Sequence, residues 1–184
     1  MTGRRPFGIG TPPEASLLSM SRLAIHSPLG PLTLYEEGGS LVSLDWRWTQ
    51  PSGETGLLAL ARDQLREYFD GRRESFALPL APRGTEFQRR VWSSMCEIPF
   101  GAVCGYGDLA RGLRTGPRAI GMACARNPLP IFIPCHRVVG SNGALTGYSG
   151  GDGLATKDYL LELERAGSRL LREARVMTAR PASR

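Results

Sequence analysis

A cysteine and a histidine stand side by side at Cys135 and His136, within the segment PIFIPCHRVVG (residues 130–140). A thiolate is a strong nucleophile, but a free cysteine has a pKa of about 8.5 and needs help to ionise at neutral pH. A neighbouring base could supply that help. The apolar residues before the cysteine favour a plainer alternative, because free cysteine is among the most buried residue types. The rest of the chain must decide between a reactive and a structural thiol.

The composition is that of a globular chain. The 184 residues are 41% hydrophobic and 22% charged, and no apolar run reaches the roughly 20 residues that span a bilayer. Pro12 and Pro13 interrupt the N-terminal segment, so we predict no secretory signal and a disordered leader over residues 1–20. The four cysteines form no CxxC pair and only two histidines exist. We therefore expect reduced thiols and no metal site.

Positive charge is concentrated in two parts of the chain. The net charge is +6, yet residues 83–137 alone hold eight arginines against three acidic residues, and residues 165–184 hold six arginines against one. Clustered arginines are typical of a nucleic-acid-binding surface. For residues 165–184, a solvated basic tail without a partner is an equal alternative.

The first part of the chain predicts a small sheet and a helix. Residues 22–48 alternate apolar and polar side chains around two turns, which is typical of an antiparallel β-meander. Residues 56–71 place apolar side chains at helical spacing. Residues 73–84 (RESFALPLAPRG) predict one more strand and a linker, so we place a domain boundary near residue 82.

The second part predicts a helical domain. Thr85 can cap a helix, and residues 106–113 and 117–126 form two short predicted helices around a turn with Gly116, the pattern of a helix-turn-helix. Small residues dominate the second helix, so it can lie close to a neighbouring helix or to a DNA groove. A glycine-rich loop then precedes a long amphipathic helix. The loop has no P-loop pattern, but it can form the wall of a ligand pocket.

The predicted fold is therefore a mixed α/β chain of the α+β type. It comprises a leader (1–20), an N-terminal β-meander and helix domain (21–82), a helical C-terminal domain with the helix-turn-helix and Cys135 (83–172), and a basic tail (173–184).

Six blocks resemble, in order and spacing, those of the O6-alkylguanine-DNA alkyltransferases, also called methylated-DNA–protein-cysteine methyltransferases. The most specific is NPLPIFIPCHRVVG, which resembles the acceptor-cysteine motif of that family. The other blocks are GTEFQRRVWSSMCEIPFGAV, GYGDLA, RAIGMA, LTGYSGG and LATKDYLLELE. The likeness covers residues 22–164 and is strong from Gly84 onward. It favours a reactive Cys135 over a structural thiol.

The resemblance implies that the sulfur of Cys135 displaces guanine from an alkyl group on its O6 atom. By the same resemblance, His136 is the base, acting through a water, and Glu164 is the carboxylate that orients it. Tyr106 then hydrogen-bonds the N3 edge of the purine and donates a proton there. These four are the predicted catalytic residues, and no cofactor is implied.

The resemblance also implies that the damaged base leaves the duplex. Arg118 then fills the vacated space, the small residues after it let the helix enter the minor groove, and Asn127 ties that helix to the cysteine segment. The predicted DNA-binding residues are Arg118, Ala119, Gly121, Ala123, Arg126, Asn127 and Arg137. The predicted pocket residues are Val138, Tyr148, Ser149 and Gly150.

The implied function is single-turnover DNA repair, with double-stranded DNA containing O6-alkylguanine as substrate and O4-alkylthymine as a second candidate. One alternative is an alkyltransferase-like protein that binds the lesion without transfer, although that class replaces the cysteine. Another is an unrelated cysteine hydrolase, which usually draws its nucleophile and base from separate elements. We expect a cytoplasmic, nucleoid-associated monomer with no membrane partner; cooperative binding along DNA is left open.

Overall fold

The computed structural model describes residues 20–178, with side chains up to residue 170. Residues 1–19 and 179–184 lie outside the described residues, and with them almost all of the predicted leader and the end of the predicted tail. A three-stranded sheet with one helix comes first, and a mainly helical part follows. This order confirms the predicted α+β fold. Among the described helices, none is both long enough and apolar enough to cross a membrane.

The N-terminal sheet is the predicted antiparallel meander. Its strands are β1 (Ser21–Ser27), β2 (Gly30–Glu37) and β3 (Ser40–Asp45), which lie in that order across the sheet. Leu34 of the central strand pairs with Leu23 on one side and with Leu44 on the other. Gly38 and Gly39 have φ values of 57° and 74°, as the two-residue turn between β2 and β3 requires. Helix α1 (Gly56–Phe69) follows the sheet and packs against β1 and β2.

The strand predicted within residues 73–84 is wrong. Leu80 forms only an isolated parallel bridge with Leu41, in which the Leu41 amide donates to the carbonyl of Pro79 and the Ala81 amide donates to the carbonyl of Leu41. Pro79 has no N–H group to donate to β3, so the ladder cannot extend toward the N-terminal side of this bridge. The segment still covers the core, because Leu78, Leu80 and Ala81 are buried.

The second part contains four helices and two short paired strands. Strands β4 (Cys104–Gly105) and β5 (Val138–Val139) pair in parallel. One 3-10 turn (Cys135–Arg137) leads directly into β5. Helix α5 (Leu154–Thr178) runs past residue 172, where the C-terminal domain was predicted to end. The predicted boundary therefore falls inside this helix, which contains no proline. The elements are α2 (Glu86–Cys96), β4 (Cys104–Gly105), α3 (Tyr106–Gly112), α4 (Pro117–Ala125), β5 (Val138–Val139) and α5 (Leu154–Thr178).

Helix α2 holds the helix-turn-helix in place through a buried tryptophan. The helix begins with a capping box, in which Thr85 and Gln88 satisfy each other's backbone amides. One turn later Trp92 is fully buried, and its indole Nε1 donates a hydrogen bond of 2.9 Å to the carbonyl of Ala123 in α4. The predicted helices α3 and α4 pack on each other and α4 packs on α2, so the position of α4 depends on this indole.

Replacing Gly84 by alanine should destabilise the protein. A Cβ atom at this position would lie 2.5 and 2.6 Å from ring atoms of Trp92, and a buried ring held by its own hydrogen bond has little room to move. Overpacking of this kind costs about 1–3 kcal/mol of unfolding free energy, measurable by urea denaturation. The control is Gly107→Ala in α3, where the new Cβ meets nothing within 4 Å and alanine favours the helix. Equal effects of the two substitutions would contradict the role of the Trp92 ring.

Candidate active site

Cys135 lies at the start of the 3-10 turn and is 5% exposed. The segment before it makes a tight loop, in which Ile131 has a φ of 74°. This conformation is unfavourable for a β-branched residue and persists only where packing imposes it. The Sγ atom accepts a hydrogen bond of 3.2 Å from Nδ2 of Asn127, which also donates to the carbonyl of Ile133 at 2.8 Å. Asn127 therefore joins the end of α4 to the cysteine segment.

A fully buried carboxylate, that of Glu164 on α5, is surrounded by hydrogen-bond donors. Its Oε1 atom lies 2.7 Å from Nε2 of His136 and accepts from the hydroxyl of Tyr68 at 2.8 Å. The guanidinium of Arg137 donates to both oxygens, with Nε 2.9 Å from Oε2 and Nη2 2.9 Å from Oε1. The Gly101 amide donates to Oε2 at 3.1 Å. The carboxylate thus joins α5, the cysteine turn, α1 and the loop after α2.

These contacts determine the protonation of His136. Burial alone would raise the pKa of Glu164, but His136 and Arg137 outweigh it and lower the pKa to about 2. Glu164 is then ionised at neutral pH, so the Nε2 atom facing it must carry the hydrogen. Burial lowers the pKa of His136 in spite of the opposing effect of Glu164, so the imidazole is neutral. Its Nδ1 atom therefore holds a lone pair, and that buried atom has no hydrogen-bond partner.

The thiol beside this base is protonated at rest. Burial raises the pKa of Cys135, although the hydrogen bond from Asn127 and the charge of Lys157 act in the opposite direction. Burial also raises the pKa of Cys96 to about 11 and of Cys124 to about 12. Of the four cysteines, only Cys135 is next to a histidine in the sequence. The site can therefore activate one thiol by removing its proton.

Lys157, the single lysine of the chain, lies close to the candidate site, and sequence reasoning gave it no role there. Its side chain is fully buried, and Nζ donates to the carbonyls of Val138 at 2.6 Å and Thr146 at 2.7 Å. It therefore joins α5 to both ends of the segment that follows Cys135. The one sequence feature that distinguishes this position is that it carries a lysine, whereas every other cationic Lys or Arg residue of the chain is an arginine.

Cys135 is one of the residues that line a cavity of about 130 Å³. Three predicted pocket residues line it, namely Tyr148, Ser149 and Gly150, and the Tyr148 hydroxyl is buried there without a partner. Val138, also predicted, is outside the lining and fully buried, with its carbonyl bound to Lys157. The described lining residues are Leu44, Trp46, Cys124, Ala125, Asn127, Pro130, Cys135, Gly147, Tyr148, Ser149 and Gly150.

Tyr106, the first residue of α3, lies at the edge of this cavity. Its hydroxyl donates to the carbonyl of Gly147 at 3.1 Å, and Gly147 is a lining residue. Nζ of Lys157 lies 5.7 Å from the centre of the tyrosine ring. Burial raises the pKa of Tyr106, so the phenol keeps its proton and acts as a hydrogen-bond donor.

Helix α4 presents a partly exposed, basic outer face. Arg118 and Arg126 are exposed at its two ends, and Ala119 and Gly121 are half-buried between them. Exposed Met122 adds a larger apolar side chain, 63% exposed. Charge and small residues on one face of a helix-turn-helix suit contact with a nucleic-acid duplex.

The structure corrects two predicted DNA contacts. Ala123 is 1% exposed and faces the core with Ile120 and Cys124, because positions three and four apart share one side of a helix. Arg137 is 6% exposed and its groups bind inward, to Glu164 and, through Nη1, to the carbonyl of Ile98 at 2.6 Å. Neither side chain is available to a duplex.

The fold and the site define a DNA-binding protein that carries an activatable thiol in the lining of a cavity. Among the described residues, no cluster of three or more histidine, cysteine or acidic side chains could hold a metal ion. The comparisons with known proteins agree with this class. Residues 22–82 match the ribonuclease-like domain of 6-O-methylguanine DNA methyltransferase, and residues 86–166 match its DNA-binding domain.

Individual relatives give the same result. The constitutive methylated-DNA–protein-cysteine methyltransferase of Bacillus subtilis is 44% identical over 153 residues, which are 76% of this chain and 92% of the relative. A Methanosarcina barkeri relative named methylated-DNA–protein-cysteine methyltransferase is 44% identical over 150 residues, 76% of this chain and 94% of its own. A crystal structure of Mycobacterium tuberculosis OGT in complex with DNA has a TM-score of 0.71 and 42% identity, covering 79% of this chain and 93% of that one.

This chain belongs to the 6-O-methylguanine DNA methyltransferase family. The family expected from the six sequence blocks is thus confirmed.

Replacing Glu164 by alanine should lower the unfolding free energy by about 3–5 kcal/mol, because it leaves Arg137 buried without its counter-charge. The folded pKa of about 2 lies below the ordinary value of 4.5. The contribution of this carboxylate is therefore complete above pH 4.5 and lost as the pH falls toward 2. Urea denaturation at several pH values measures both effects. Glu162→Ala, on the exposed face of the same helix, should change the unfolding free energy by less than about 0.5 kcal/mol. A cost below about 1 kcal/mol for Glu164→Ala would contradict the network.

Proposed function

We propose that this protein repairs DNA by moving an alkyl group from the O6 atom of guanine to Cys135, once per molecule. The observation that carries the proposal is the cavity that is lined by a thiol, beside a neutral histidine with an open acceptor atom and a basic helix-turn-helix. The names of the relatives, methylated-DNA–protein-cysteine methyltransferases, support the same reaction.

The duplex is the macromolecular partner in this proposal. Arg118, Arg126 and the small residues of α4 would contact the backbone and the minor groove, where bulky side chains clash. The target atom of a stacked guanine is out of reach of a thiol inside a cavity, so the nucleotide must turn out of the duplex, at a cost of a few kcal/mol. Tyr148, Ser149 and Gly150 would then surround the base. O4-alkylthymine is a second candidate substrate for the same cavity.

Proton removal starts the chemical step. The thiol proton passes through one water to Nδ1 of His136, and the imidazolium that forms is stabilised by the ionised Glu164 carboxylate at 2.7 Å. Each group thus begins in the protonation state that the step requires. The pKa of the thiol, raised by burial, explains why the base is needed.

The thiolate then attacks the alkyl carbon. A carbon–sulfur bond forms as the carbon–oxygen bond breaks, and the electron pair of that bond leaves with the guanine. The leaving guanine takes up one proton, which balances the proton that His136 accepted from the thiol. We assign to the Tyr106 hydroxyl a hydrogen bond to the N3 edge of the guanine, for which it would give up the Gly147 carbonyl. The product thioether has no route back to a thiol in this site, so the reaction is stoichiometric.

A lesion-binding protein without transfer is the second candidate that the sequence suggested. Cys135 and its base argue against it, because a protein that only marks the lesion has no use for a thiol with an adjacent proton acceptor. We further propose that the protein acts as a monomer on chromosomal DNA in the cytoplasm.

Mixing the protein with a duplex that contains one O6-methylguanine should add one methyl group to Cys135. Intact-protein mass spectrometry gives the stoichiometry, and peptide mapping gives the position. Cys135→Ser should gain no methyl group and should still bind DNA, whereas Cys124→Ser, at the other thiol that lines the cavity, should still be methylated at Cys135. A methyl group on Cys96, Cys104 or Cys124 of the unmodified protein would refute the assignment.

Replacing Arg118 by alanine should slow repair of duplex DNA far more than reaction with free O6-benzylguanine, which pays no unstacking cost. Arg118 is exposed in the first turn of α4, where a positive charge opposes the helix dipole and so does not serve stability. Arg126→Ala, at the other end of the same helix, should weaken DNA binding and reduce its salt dependence by about one counterion. Equal losses of Arg118→Ala on both substrates would show that Arg118 supports the fold or pocket instead.

A further inference from the structure

One wall of the cavity comes from the other part of the molecule. Leu44, in β3, and Trp46, just after it, line the cavity together with Cys135, although they lie about 90 residues earlier in the chain. The Leu44 amide donates a hydrogen bond of 2.8 Å to the carbonyl of Pro128, beside Asn127. This bond fixes the end of β3 against the loop that presents the cysteine.

The chain on the other side of Trp46 is also held in place. The Thr33 hydroxyl donates to the carbonyl of Arg47 at 2.7 Å, and the Thr49 amide donates back to that hydroxyl at 3.0 Å. Thr33 itself is fully buried in the sheet. The backbone of Trp46 is therefore anchored on both sides, and its indole has a defined position.

The indole of Trp46 packs against the glycine-rich loop at the far side of the cavity. A Cβ atom on Gly150 would lie 2.8 Å from the indole Nε1 and 3.0 Å from Cε1 of Tyr148, and one on Gly151 would lie 3.2 Å from the indole Cε3. Only glycine fits at this distance. Gly150 thus lies against the rings of Trp46 and Tyr148, and Trp46 directly follows β3 of the N-terminal sheet.

We propose that Trp46 is a specificity-determining residue, whose indole limits the size of the alkyl group that Cys135 can accept. The inference rests on the proposed function and adds to it a role for the N-terminal domain in the substrate range. A rigid wall built from an anchored ring excludes a larger substituent by steric clash, and one extra methylene in a tight pocket changes a rate by about 10–200-fold. Removing the indole should therefore favour large alkyl groups over methyl.

The test compares two duplexes of one sequence, which carry either O6-methylguanine or O6-benzylguanine at the same position. Single-turnover transfer rates are measured for each, and the ratio of the benzyl rate to the methyl rate removes effects on DNA binding. Trp46→Ala should raise this ratio at least about tenfold over the unmodified protein. Trp46→Phe, which keeps an aromatic wall, should raise it less and guards against a failure of the alanine variant to fold.

Trp48→Ala is the matched control. Trp48 lies two residues further on, is 48% exposed and stacks on His26 at 4.9 Å, away from the cavity lining, so its removal should leave the ratio unchanged. A ratio that is unchanged or lowered in reactive Trp46 variants would overturn the inference and leave the proposed function intact. An unmodified protein that transfers neither group to Cys135 would overturn the proposed function itself.

Discussion

The buried carboxylate of Glu164 is the interaction on which the site depends. A lone buried anion is strongly unfavourable, and here donors from three separate segments compensate it: Tyr68 of α1, Gly101 after α2, and His136 and Arg137 of the cysteine turn. Each segment must be in place before the charge is satisfied. The same contacts that make the anion tolerable therefore fix the position of His136, and with it the thiol that His136 adjoins.

This arrangement suits a protein that uses its thiol only once. Oxidation of cysteine follows thiolate character and exposure, and Cys135 has neither at rest, because it is 5% exposed and burial raises its pKa. The proton acceptor that can release its reactivity is built in as a neutral imidazole. The thiol therefore stays protonated and weakly nucleophilic until a substrate enters the cavity. The exposed face of α4 is the surface on which a duplex would bind.

The sequence predicts the local features of this protein and misses the contacts between distant residues. The meander and helices α1 to α5 follow from periodicity, turns and caps, whereas the strand expected before residue 84 fails because Pro79 cannot donate. No pattern could show that Tyr68 meets a carboxylate 96 residues away, or that Trp46 reaches the cavity. The family resemblance places Arg137 among the DNA contacts. The structure turns it inward, since the buried Glu164 requires a cation.

The buried Glu164 carboxylate is expected to hold His136 as a neutral imidazole whose Nδ1 atom can accept the thiol proton. Measuring the protonation state of His136 tests this expectation most directly. The chain has only two histidines, so nitrogen-15 NMR of the side chains can follow the His136 ring from pH 5 to 8. His136 should be neutral at pH 7, with its hydrogen on Nε2, and should gain a proton only below its ordinary pKa of 6.5, because burial lowers that pKa. An imidazolium at pH 7, or a neutral ring with its hydrogen on Nδ1, would contradict this expectation.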